Sequence, residues 1–192
     1  MWNTPFAILP VHRHARITAE LVQNVERSIT LDDGDLDERA VRAIAQRIEA
    51  RQPVISARLT RLLRGSRDEA AVALGYFLLV CVFAAFDRAF GERLTKISQT
   101  ALEAVFASLK LEAELRAEKA GESLEVEDVI AAQQPALFAW VADHTESTLA
   151  ASVELGHVNV NDIDAVLTEV AAAILALSYA VPAPPGVRAT LS

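Results

Sequence analysis

The stretch Ala70-Ala71-Val72-Ala73-Leu74-Gly75-Tyr76-Phe77-Leu78-Leu79-Val80-Cys81-Val82-Phe83-Ala84-Ala85-Phe86 decides the architecture, because it holds no charged residue from end to end. A helix built from it is apolar on every face, so it belongs either at the centre of a bundle or in a bilayer. Its uncharged length is at the bottom of the range that spans a hydrocarbon core. The flanking sequence favours the bundle. It carries one-sided apolar stripes, which have value only against a shared core. We therefore expect an all-α bundle of about six or seven helices around residues 70–86, without a membrane role.

The stripes lie on both sides of that centre. Before it, Ile17, Leu21, Val25 and Ile29 recur every four residues, which predicts a helix over 15–29. Asp35, with Glu38 three positions on, predicts a capped second helix burying Leu36, Val41, Ile44 and Ile48. Pro53 ends that helix and starts a third, which buries Ile55, Leu59, Leu62 and Leu63 and stops at Gly65. Ser66 and Glu69 form another capping pattern ahead of the central helix.

After the centre, a fifth helix is expected over 92–120, with Leu94, Ile97, Ala101, Val105 and Leu109 on one side and a solvated, charged end from Glu112. A sixth is interrupted at Pro135, and a seventh is capped by Asn161. Residues 1–14 read as an arm and 182–192 as a Pro-rich tail, leaving one all-α domain over 15–181.

Ile48-Glu49-Ala50-Arg51-Gln52-Pro53-Val54-Ile55 resembles Ile130-Ala131-Ala132-Gln133-Gln134-Pro135-Ala136-Leu137, 82 positions later. A duplicated helical unit with halves 15–91 and 92–181, related by a pseudo-two-fold axis, would explain the likeness.

Composition limits the functional classes. Strong helix formers dominate, and aromatic residues make up 6% of the chain. The single cysteine, Cys81, lies inside the apolar run and reads as a small buried hydrophobe. A cytoplasmic location fits the lone thiol and the N-terminus, where no basic segment precedes an apolar one. The net charge of −8 disfavours nucleic acid as a partner for the whole surface. Residues 39–67, however, hold eight basic residues against one acid, Glu49, and so have a field of their own.

Within that basic segment, residues 41–63 read as a candidate helix-turn-helix. Arg51, Gln52, Ser56, Arg58 and Arg61 are its candidate contacts to bases and phosphates. The pattern and its N-terminal position resemble the TetR family of ligand-sensing repressors. That resemblance implies a dimer with a small apolar ligand held by the C-terminal helices. Glu49 stands where such turns usually place glycine, and the alternative is an αα corner with a solvated arginine face.

Chemistry-bearing constellations are sparse. Asp33, Asp35 and Asp37 alternate like a calcium loop, but Glu38 and Ile44 occupy the positions that need glycine and glutamate. His12, His14, His144 and His157 form no metal motif, and no glycine-rich phosphate loop is present, so no metal, cofactor or catalytic residue is assigned. Trp140 and His144, one helical turn apart beside Leu137 and Val141, are the pocket candidates. The expectation is a non-catalytic interaction or regulatory protein that self-associates through apolar surface on its last helices or meets a protein partner. The alternative is the TetR-like regulator binding DNA and a small apolar ligand.

Overall fold

A computed structural model describes residues 8–65, 68–118, 131–155 and 159–184. The chain is all-α, with no strand among these residues beyond a single bridge between Thr30 and Leu36. The helices are α1 (Ala19–Arg27), α2 (Glu38–Arg51), α3 (Pro53–Gly65), α4 (Glu69–Phe90), α5 (Gln99–Glu118), α6 (Pro135–Leu155) and α7 (Val160–Tyr179). Two single 3₁₀ turns, Arg13–Ala15 and Gly91–Arg93, precede α1 and α5.

The apolar run forms the centre. Helix α4 is buried over 78–86 on every face, and α7 is likewise buried over 172–178. The two lie side by side in the same direction. At one end Asp68, which caps α4, accepts from the Asn159 N–H at the start of α7. At the other, the Thr95 N–H and hydroxyl both donate to the Ala180 carbonyl. Helix α4 is long and apolar enough to cross a membrane, yet 67% of that apolar window is covered by the protein itself. Each fully covered leucine such as Leu78 contributes ~1.5–3 kcal/mol of burial. The remaining helices wrap this pair.

Several helix starts differ from expectation. Helix α2 is capped by Asp37, whose carboxylate accepts from the Arg39 and Ala40 N–H groups. Asp35 is occupied instead in the preceding loop, where its carbonyl takes the Leu31 N–H, and Leu36 is exposed. Gly34 turns that loop at φ +91°, where a side chain would be strained. Asp68 caps α4, and Asn159 rather than Asn161 caps α7. On α5 the buried line passes through Leu102 instead of Ala101, and Glu112 is 4% exposed rather than solvated. Ser66, His157, the start of the sixth helix and the tail beyond 184 lie outside the described residues, as do the Leu62 and Leu63 side chains.

The largest differences are at α1 and α5. Both were expected to begin earlier, and both are preceded by extended chain held by a buried glutamine. Gln134 accepts from the Ile17 N–H (3.0 Å) and donates to the Ala15 carbonyl (2.7 Å). Gln52 accepts from the Ile97 N–H (2.9 Å) and donates to the Thr95 carbonyl (2.9 Å). The clamped segments are 80 positions apart in sequence, and the glutamines 82.

The parallel continues around these clamps. Thr18 and Ser98 then cap α1 and α5 through their hydroxyls. Beside the glutamines, Gln133 accepts from the Val11 N–H, while Arg51 donates to the Gly91 carbonyl. Each glutamine thus grips the leading segment of the opposite half of the chain.

Candidate functional site

Three helices leave an open cleft of about 390 Å³ between them. Each contributes one helical stripe at i, i+3, i+4 spacing. From α1 and its last turn come Val25, Ser28 and Ile29. From α2 come Ala40, Ala43, Ile44 and, one turn on, Arg47. From α4 come Ala84, Asp87 and Arg88. The floor is aliphatic, with Val25, Ile29 and Ile44 almost fully buried. The cleft exists because Ala40, Ala43 and Ala84 stand at facing positions where larger side chains would fill it. Its size falls in the range of small-molecule sites.

The rim of the cleft is charged. Arg47 Nε lies 3.3 Å from Asp87 Oδ2, and Arg51 pairs with Asp87 Oδ1. Arg88 reaches across to the Asn24 carbonyl of α1 at 3.3 Å. Two guanidinium groups therefore hold one carboxylate, and a third, that of Arg88, stands at the rim bonded to α1. The Arg47 side chain remains 51% exposed.

The pocket candidates of the sequence reading meet elsewhere. Trp140 Nε1 donates to Glu26 Oε2 (2.8 Å), and His144 Nε2 lies 3.2 Å from Glu26 Oε1. Phe77 packs edge-on to the imidazole at 5.1 Å, and the indole does so at 4.5 Å. A carboxylate, an imidazole and an indole are thus brought together between α1 and α6, but as a packed polar contact, and neither aromatic candidate lines the cleft. Glu26 went unmarked in the sequence because nothing local distinguishes it from the other acids on solvated helix faces. Cys81 lies near this group; burial first, and then the Glu26 charge, push its thiol pKa well up.

The DNA-contact candidates are scattered by the fold. Gln52 is 1% exposed, its amide turned inward to the 95–97 segment. Arg51 is drawn to Asp87 and the Gly91 carbonyl. Arg58 makes a two-pronged contact with Glu169 on α7 (2.9 and 2.6 Å) and lies 4.2 Å over the Phe106 ring of α5. Ser56 is half-buried, and of the five only Arg61 is exposed. His12 and His14 stack at 5.3 Å, and among the described residues no three His, Cys, Asp or Glu side chains converge as a metal site would require. Comparison of the chain with family models, with curated proteins and with solved structures finds no match, so the arrangement of these side chains alone carries the functional reading.

Proposed function

We propose that the chain is a non-catalytic α-helical interaction or regulatory protein. One observation carries this reading: Arg51, Gln52 and Arg58, the polar groups best suited by sequence to nucleic-acid contact, are spent holding the helices together. Base readout needs side chains free to reach groove edges, and phosphate contact needs open cations. Arg61 alone among the five candidates is exposed. The imidazole–carboxylate contact of His144 and Glu26 is flanked by the Phe77 and Trp140 rings and lies outside the cleft, which suits a structural use better than proton transfer to a substrate.

Self-association has little apolar surface on α7 to use, because much of that helix is buried against α4; Val160 and Tyr179 are its exposed large apolar side chains. A gel shift with mixed genomic fragments at low salt tests the proposal. No retardation is expected. Retardation that weakens steeply as salt rises, with a slope flattened by Arg61→Ala, would overturn the proposal in favour of DNA binding.

A further inference from the structure

We infer that the cleft between α1, α2 and α4 is a binding site for a small amphipathic monocarboxylate, an aliphatic chain ending in one carboxylate group. The inference goes beyond the interaction reading and does not depend on it. Shape and charge support it separately. The floor formed by Val25, Ile29, Ile44 and Ala84 offers aliphatic contact and no aromatic ring, which suits a flexible hydrocarbon body. The volume admits such a body but not a folded polypeptide element.

The rim sets the head group. Arg47 and Arg88 flank the mouth from α2 and α4. Asp87 already engages Arg47, with Nε 3.3 Å from Oδ2, and Arg88 contacts the Asn24 carbonyl at 3.3 Å. Both side chains line the cleft, and a guanidinium presents its N–H donors in the planar fork that matches a carboxylate. Asp87 limits the charge that can enter. The rim carries two cations, Arg47 and Arg88, against one anion, Asp87; behind it Arg51 is shared between Asp87 and Glu92, 3.9 Å away, and adds no net excess of charge. One negative charge improves that balance. A phosphate monoester dianion would bring a second charge close to Asp87, where like charges repel strongly. The chain as a whole has a net charge of −8, so this cationic mouth runs against the general field.

The test uses octanoate, with octan-1-ol and octylamine as neutral and cationic controls of the same chain length. Amide shifts of the ¹⁵N-labelled full chain are followed by NMR during titration. Octanoate is expected to saturate one site with Kd below about 1 mM, shifting the amides of Val25, Ala43, Ile44 and Ala84 together. Octan-1-ol should bind at least about tenfold more weakly, and octylamine more weakly still.

The double variant Arg47→Gln/Arg88→Gln should lose most of the preference for octanoate over octan-1-ol. Ala43→Trp, placed on an exposed turn of α2 and checked for helicity, should abolish both. Equal affinity for acid and alcohol in the unmodified chain, shifts centred away from the cleft, or no saturation would each overturn the inference, and none of these readings requires a variant to fold.

Discussion

Replacing Gln134 by Leu isolates the contribution of the amide clamp, since the side chain keeps its bulk and loses its polar end. Gln134 is fully buried, and so are the two backbone residues it serves, Ile17 at 4% and Ala15 at 1% exposure. The substitution leaves the Ile17 N–H and the Ala15 carbonyl without their partner. Ser178, which also receives an amide hydrogen, keeps its own bond to the Ile174 carbonyl (2.7 Å). Two buried backbone groups at ~1–3 kcal/mol each give an expected loss of ~2–6 kcal/mol.

That is a large share of a total stability of ~5–15 kcal/mol. With a urea dependence of about 2 kcal/mol per molar, the midpoint should fall by roughly 1–3 M. The matched change Gln52→Leu should cost less, because Thr95 is exposed and water can take over its carbonyl, leaving only the Ile97 N–H orphaned. Hydrogen exchange at Ile17 should accelerate in the first variant and not in the second. A Gln134→Leu protein within about 0.5 kcal/mol of the parent, or one no less stable than Gln52→Leu, would refute the idea that these amides hold the leading segments.

Three further outcomes are expected. Arg58→Ala should lower stability by ~1.5–3 kcal/mol in chemical denaturation, because it removes a charge-assisted fork on Glu169 and the stacking on Phe106; Arg58→Lys should not restore it, since an ammonium cannot make the paired contact. Cys81 should resist thiol reagents in the native protein and react once it is unfolded, because burial disfavours its thiolate.

Asp68 is held below its ordinary value by the Asn159 N–H first and then by the Ala71 N–H. Folding thus favours its charged form, so its contribution is complete above the unfolded value near 3.8 and fades as pH falls through the lower native value. Asp68→Asn should therefore be less stable at neutral pH and show a shallower loss of stability in acid titration below about pH 4.

The centre of the fold was legible because an uncharged helix of that length has few places to go, and the stripes of α2, α3 and α7 pointed at it with Ile44, Ile48, Ile55, Val166 and Ile174 all buried. The starts of α1 and α5 were not legible. Residues 16–18 and 94–98 have no strong local reason to remain extended; they do so because side chains 117 and 45 positions away take their amide groups. Local propensity yields to that contact.

The same distance effect explains the site. The Gln-Pro likeness was visible, but whether its amides face a groove or the interior depends on what packs over them. The cleft depends on alanines, which read in sequence only as helix formers. Trp140 and His144 touch along one side of α6, as their spacing implies, while Glu26, their partner from another helix, carries no local mark.

The crossed grip of the two glutamines also bears on how the molecule is made. A ribosome releases the chain from its N-terminus, so residues 15–17 emerge long before the amide that seats them, which lies 117 positions later. At ~5–20 residues per second, that interval is roughly 6–23 s. During it Val22, Val25 and Ile29 have neither α6 nor the finished centre to cover them. Synthesis of this protein therefore includes a waiting period for its first helix, ended only when the second Gln-Pro corner leaves the exit tunnel.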